Sequence, residues 1–228
     1  MITEILDEIL KPKEEHTKSG KWSPSKLGGC YRKHYWSRKA EPETNPIDER
    51  TRRVFKVGDL FHDFFQTNLL LRYPTWQKEV KIEVDDTLGF ADLVSEDEVM
   101  DFKTVHSKKF WWNTQEINAG KDIKDMFYNN WLQVMFYALS LGRNRARLVF
   151  ISKDDLCIQE YALPLDSYWK GELDMEFTKL NYYWNENTIP PAQPKLYNGK
   201  ECGYCGYKDK CVLMEGKDHP LNQKGDNV

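Results

Sequence analysis

No stretch of the sequence approaches the roughly 18 consecutive apolar residues of a membrane span, so no transmembrane helix and no membrane partner are expected. The opening run MITEILDEILKPKEEH lacks the basic-then-apolar order of a signal peptide, and a cytoplasmic protein is expected. No G-x-x-x-x-G-K-[ST] phosphate loop occurs in the 228 residues, which excludes a nucleotide-driven motor here and leaves a chain that acts alone or with separate partners. There is no internal repeat. Cysteines are few and odd in number, five, which argues against a disulfide framework and leaves ligation or burial to explain them.

Apolar residues make up 40% and aromatics 14%, enough for one substantial core with appendages. The net charge of -3 gives no sign of a polyanion partner, but the charge is unevenly spread. Between Lys18 and Lys56 stand eleven Lys/Arg and four Asp/Glu, a local excess of +7 that leaves the remainder at -10. That stretch suits a polyanion groove, and a solvated helical face accounts for it equally well.

Periodicity divides the chain. Ile2 to Leu10 reads as a short amphipathic helix, and Ser23-Pro24-Ser25 as the cap of another carrying Leu27, Cys30, Tyr31 and Tyr35. From Asp48 to Arg72 the spacing of Val54, Phe55, Phe61, Phe64, Phe65 and Leu69 is helical, and Pro74 ends it. Then the period changes to two. Val80, Ile82 and Val84 form a half-buried strand, and Leu88 to Val94 and Val99 to Val105, separated by the acidic turn Ser95 to Glu98, complete an antiparallel meander. A helix is expected over Lys124 to Leu141, strands over Arg147 to Ser152 and Cys157 to Leu163, and a helix over Asp166 to Asn185. Ile189 to Pro194 reads as extended, and the tail after Pro220 as disordered.

The strongest chemical signal is Gly89-Phe90-Ala91-Asp92 followed by Asp101-Phe102-Lys103. Side chains two apart on a strand share a face, so Asp101 and Lys103 point together while Phe102 enters the core. Asp92 lies on the neighbouring strand and falls beside them. Two adjacent carboxylates stay ionised only with a cation between them, which suits Mg2+ or Mn2+, and the lysine is placed to polarise an attacking water and offset charge on a phosphate. D-x-K alone reads first as an exposed hairpin with an i, i+2 ion pair, so further signals are required. Upstream, Gly58 and His62 lie four apart on the long helix, the glycine for close approach to the sheet and the imidazole as a further ligand or an ordinary core residue. Downstream, Gln133 and Tyr137 share the same spacing.

The order G-x-x-x-H, G-x-x-D, D-x-K, Q-x-x-x-Y resembles the RecB-like nucleases of the PD-(D/E)XK superfamily, across most of the chain. The resemblance implies a restriction-endonuclease-like α/β fold, with a mixed central sheet flanked by helices. It makes His62, Asp92 and Asp101 similar to the family's metal ligands, Lys103 to its catalytic lysine, and Gln133 and Tyr137 to its substrate-positioning pair. The activity it implies is metal-dependent hydrolysis of DNA, exonucleolytic on single strands or frayed ends. The runner-up is a catalytically silent DNA-binding or zinc-binding regulatory module on the same fold.

Cys202, Cys205 and Cys211 form C-x2-C-x5-C, and Cys30 stands far upstream in Gly28-Gly29-Cys30. Four thiolates suit zinc or an iron–sulfur cluster, and spacing does not choose between them. One cysteine before the nuclease core and three after it resembles the subgroup that includes the nuclease of CRISPR adaptation and its phage-encoded relatives. There the cluster is [4Fe-4S], which implies Cys30, Cys202, Cys205 and Cys211 as ligands and Cys157 as a buried bystander in a strand. Integrases of CRISPR systems or phage recombination proteins are the partners this likeness suggests. The division expected is residues 1–47 as an N-terminal helical segment with the first cysteine, 48–187 as the nuclease core, 188–219 as the cysteine segment joined to the N-terminal one, and 220–228 as a disordered tail.

Basic and aromatic residues interleave in Arg32, Lys33 and Tyr35, and again in Lys108, Lys109 and Trp111, a mixture suited to phosphate and base contacts with single strands. Aromatic clusters also close small domains, so Trp36 and Trp111 are open between stacking and core.

Overall fold

A computed structural model describes residues 2–11, 19–196 and 200–215; the expected disordered tail lies outside the described residues. The chain divides into two units, one of Met1–Trp22, Gly29–Arg52 and Phe177–Val228, the other of Ser23–Gly28 and Arg53–Glu176. Among the described residues no helix is long and apolar enough to cross a membrane.

The second unit is built on a five-stranded mixed sheet in the order β1 (Gln77–Val84), β2 (Thr87–Val94), β3 (Glu98–Val105), β4 (Arg145–Ser152), β5 (Ile158–Pro164). Neighbours are antiparallel except β3 and β4, which run parallel in continuous register from Glu98↔Arg145 to Val105↔Ser152. A parallel pair needs a crossover. It is made by α4 (Ser107–Asn118), α5 (Ile123–Met126) and α6 (Tyr128–Ser140). On one face, Phe61, Phe65 and Leu69 of α3 (Glu49–Arg72) pack on Leu93, Met100, Phe102, Val149 and Ile151. Strand alternation turns Lys103 to the other face, where α6 packs with Trp131, Leu132, Met135 and Tyr137 buried.

Helix ends follow local chemistry. Asp48 Oδ1 accepts from the Thr51 N–H at 2.7 Å and starts α3, and Pro74 lies just past its end. The expected single helix from Lys124 to Leu141 is two helices. Phe127, at φ -123 and ψ 29, breaks it so that its ring can stack within 4.4 Å of Phe150 and 5.8 Å of Tyr161. The helix expected from Ser23 onward is likewise interrupted. A 3-10 turn spans Pro24–Lys26, Gly28 takes φ +69, and α2 (Tyr31–Arg38) starts afresh with Cys30 at its cap. A Cβ on Gly28 would meet Leu132 at 3.0 Å and Asn129 at 3.1 Å, so close packing demands glycine there as well as the positive φ. β1 is a solvent-facing edge strand rather than a half-buried one, with Ile82 its one buried residue, and Lys78 and Lys81 protect its edge.

In the first unit, Tyr35 and Trp36 of α2 pack on Tyr207, with Tyr183 and Trp184 of α7 (Ser167–Asn185), Cys205 and Cys211 around them. Trp22 donates through its indole N–H to Asn181 at 2.9 Å. The extended strip after Ile189 leads to α8 (Lys200–Gly203) and α9 (Lys208–Glu215). The 41–45 strip fastens there, since the Asn45 N–H donates to Gly206 O at 2.9 Å and its side chain accepts from the Asp209 N–H at 2.9 Å. The first helix, α1 (Ile2–Ile9), buries none of its residues.

Candidate active site and cysteine cavity

The candidate site begins where β2 and β3 separate. Their register holds at Val94↔Val99 and Leu93↔Met100 and then ends. The Phe102 N–H that a longer ladder would occupy donates instead to Asp92 Oδ2 at 2.7 Å, so the carboxylate is drawn between the strands. β3 stays rigid through its continuous pairing with β4. Asp101, 1% exposed, faces Lys103 from two residues away, with Nζ 3.0 Å from Oδ1 and 2.7 Å from Oδ2. From α6, Gln133 Oε1 accepts from the same ammonium at 3.2 Å.

Electrostatics follow from burial. Desolvation, then the Asp101 charge, pushes the Asp92 carboxyl up to about 8. Burial works against the Lys103 ammonium, but Asp101 and Asp92 outweigh it and hold its pKa above the ordinary lysine value. Burial lowers the pKa of His62, which keeps the imidazole neutral with Nδ1 3.6 Å from Asp92 Oδ2, beyond hydrogen-bonding length. Tyr137 is buried, hydrogen-bonds with Gln133 and the Phe90 backbone, and is held well above the usual tyrosine range, first by burial.

The glycine of G-x-x-D has a steric cause. A Cβ on Gly89 would lie 2.6 Å from the Tyr137 hydroxyl and 3.0 Å from Pro24, so no side chain fits beneath that ring. Gly58 is less constrained, since among the described residues its Cβ would meet Thr104 Oγ1 alone, at 3.4 Å.

The oxygen and imidazole donors of His62, Asp92 and Asp101 are of the kinds that a divalent cation takes. Two buried carboxyls face a single ammonium, and burial with the Asp101 charge beside it raises the Asp92 pKa, a cost that such an ion would relieve. As placed, no three His, Cys, Asp or Glu among the described residues converge in ligating geometry.

Two residues escaped the sequence reading. Gln66, 2% exposed on α3, donates through Nε2 to the Asp92 carbonyl at 2.8 Å and to Glu79 Oε1 at 2.7 Å. Glu79 takes φ +51 and drops out of the β1–β2 register between Lys78↔Leu93 and Val80↔Ala91. The signal for Gln66 was its place four residues after His62, on the same helical face.

In the first unit, Cys30, Cys202, Cys205 and Cys211 line one cavity, with Arg32 and Lys33 beside them. Their proximity is electrostatic as well as spatial, because burial and then Cys30, Cys205 and Cys211 push the Cys202 thiol up to about 11. Arg32 Nη1 lies 3.3 Å from Cys211 Sγ, and the Tyr207 N–H donates to Cys205 Sγ at 3.4 Å. Four soft donors line one cavity, and two of them receive N–H groups, as the sulfurs of thiolate-held groups do. Cys157 is not buried in a strand. It precedes β5, is partly exposed, and its N–H donates to Asp155 Oδ1 at 3.2 Å.

The first basic and aromatic stretch is not a surface for DNA. Arg32 is 4% and Tyr35 1% exposed. The guanidinium is bound to Pro190 O at 2.7 Å and Glu215 at 2.6 Å, and Lys33 is paired with Glu201 at 2.9 Å. Trp36 is core. The second stretch forms α4, a helix that its sequence did not announce because lysines and tryptophans blur the apolar period. Phe110 and Asn113 are buried, while Lys108, Lys109, Trp111 and Trp112 face solvent, the Lys109 ammonium 3.8 Å from the Trp112 ring centroid.

No protein-family profile matches the chain, and no curated protein does. The crystal structure of SSO0001 shares the fold, at 20% identity over 97% of each chain and a TM-score of 0.55. The exonuclease LHK-Exo of Laribacter hongkongensis, solved with dAMP, aligns over 75% of this chain and 90% of its own at 14% identity and a TM-score of 0.49. A phage-related exonuclease from Haemophilus somnus 129PT aligns over 81% of this chain and 93% of its own at 11% identity and a TM-score of 0.46. At TM-scores below one half, the two exonuclease likenesses carry nothing about chemistry.

Proposed function

We propose that this chain is a metal-dependent deoxyribonuclease on a restriction-endonuclease-like PD-(D/E)XK fold, an exonuclease of single strands or frayed ends that serves CRISPR adaptation or phage DNA processing. One observation carries the reading: Asp92, Asp101 and Lys103 meet beside Gln133 where β2 and β3 part. A binding module gains nothing from burying two carboxyls against one ammonium.

His62, Asp92 and Asp101 would hold Mg2+ or Mn2+, which would supply positive charge to neutralise a phosphate and acidify a water. Lys103 keeps its proton, given its raised pKa, and therefore acts by charge and hydrogen bonding on the phosphate oxygens rather than as a base. Gln133 orients that ammonium, and Tyr137 orients Gln133. Lys108, Lys109 and Trp111 on the exposed side of α4 offer phosphate contacts and a stacking face for an unpaired strand. Cys30, Cys202, Cys205 and Cys211 would hold a [4Fe-4S] cluster, a reading supported by their common cavity.

End-labelled single-stranded and duplex DNA, incubated with the protein and Mn2+, tests the reading. Labelled strands should shorten from their ends, and a chelator should stop the reaction. Asp101→Asn and Lys103→Ala should stay folded and lose cleavage by about a hundredfold or more. Near-wild-type cleavage by either variant would overturn the assignment.

A further inference from the structure

We propose that Gln66 is a positioning residue of the carboxylate site, fixing the Asp92 backbone so that its carboxyl group stays on the Phe102 N–H and beside His62. The inference rests on the nuclease reading above and adds a residue to it.

Burying a glutamine sacrifices its solvation and its rotamer freedom. At this position a leucine would simply extend the stripe of Phe61, Phe65 and Leu69 against the sheet. Gln66 instead answers a need created at Asp92. There the ladder is broken on both sides: Glu79, at φ +51, leaves the β1–β2 register, and β2–β3 pairing stops at Leu93↔Met100. Buried backbone groups that lose a ladder partner require another. The Asp92 carbonyl finds it in Gln66 Nε2 at 2.8 Å, while the Asp92 carboxylate satisfies the Phe102 N–H at 2.7 Å.

Glu79 fixes the direction of the amide. Both partners of Gln66 Nε2, the Asp92 carbonyl and Glu79 Oε1, are acceptors, so the amide nitrogen and not its oxygen must face them. The result is a clamp from α3 across β1 and β2 that holds the main chain of Asp92 while its side chain stands 3.6 Å from His62. Groups that orient a ligand from behind typically change metal affinity ten- to a hundredfold when removed.

Calorimetric titration of Mn2+ into the full chain tests this, with cleavage kinetics alongside. Gln66→Leu should retain its helical and sheet signal, bind Mn2+ about 10- to 100-fold more weakly, and lose kcat while KM for DNA holds. Glu79→Ala, which leaves the core untouched, should weaken Mn2+ binding in the same direction. Glu79→Gln, which keeps an acceptor oxygen for the Gln66 amide, should restore most of it. Folded Gln66→Leu with wild-type Mn2+ affinity overturns the inference alone, and so does Glu79→Gln as weak as Glu79→Ala, because charge rather than orientation would then be at work. Wild-type protein that binds no Mn2+ overturns the nuclease reading itself.

Discussion

Asp92 ties the site to pH through a single proton. Its carboxyl is pushed up to about 8 in the folded chain from an ordinary value of 3.8. An acid whose folded pKa is raised stabilises the native state only while protonated there, so between those two values the unfolded chain releases the proton first and stability falls as pH rises. In the presence of chelator the melting temperature should therefore drop from pH 6 to pH 9, and Asp92→Asn should flatten the slope. Bound Mn2+ would reverse the preference, because a cation favours the carboxylate, so any stabilisation by Mn2+ should grow toward alkaline pH. A wild-type melting temperature unchanged between pH 6 and pH 9 would count against the buried, proton-retaining Asp92. Gly89 sets a steric condition of the same kind. A methyl there meets the Tyr137 hydroxyl at 2.6 Å, and Gly89→Ala should cost about 1–3 kcal/mol by overpacking. Tyr137→Phe in the same chain should recover part of the loss in a double-mutant cycle of melting free energies, and strict additivity would show that the clash is relieved elsewhere.

At the scale of elements, α4 and the cysteine segment separate surface from scaffold. Trp111 is 48% and Trp112 44% exposed, and they lie on the helix that follows the strand of Lys103. Replacing both with alanine should leave thermal stability nearly unchanged and weaken single-strand binding by about 1–3 kcal/mol per stacked base, read by fluorescence titration with an oligonucleotide. Full retention of affinity would move the strand's path away from α4. Arg32 behaves oppositely. Its buried guanidinium joins α2 to Pro190, Cys211 and Glu215, so Arg32→Met strands the Glu215 carboxylate and removes the Cys211 contact. It should lower the melting temperature far more than Lys33→Met, whose pair with Glu201 is partly solvated. Equal, small effects would reassign Arg32 to a surface role.

For the whole molecule the decisive quantity is the content of the cysteine cavity. Anaerobically purified protein should carry about four irons and four acid-labile sulfides per chain. Because Cys30 and Cys202 are about 170 residues apart, a shared cluster closes a long loop, and Cys202→Ser should lower thermal stability well beyond Cys157→Ser. Zinc without labile sulfide would replace the cluster, and metal-free protein of unchanged stability would remove the staple.

The sequence by itself determined the elements whose cause is local. Period-two alternation placed Asp101 and Lys103 on one face with Phe102 on the other, the 3.6-residue period drew α3 to within a residue of its ends, and G-x-x-D put Asp92 on the adjoining strand. Spacing alone also brought Gln133 and Tyr137 to one helical face. Tertiary structure decided everything that depends on which group finds which partner across the chain. The separation of β2 from β3 is one such outcome, for nothing within either strand says that the Phe102 N–H will take a carboxylate in place of a carbonyl. The burial of Arg32 and Tyr35 is another, since basic and aromatic letters suit a DNA groove and a guanidinium clamp alike until Pro190 and Glu215 arrive from far along the chain. The break at Phe127 depends on Phe150 and Tyr161, and the role of Gln66 on Glu79 leaving its register. Periodicity is a property of the backbone and is written in neighbouring residues, whereas the satisfaction of a buried polar group is settled by residues that only folding makes neighbours.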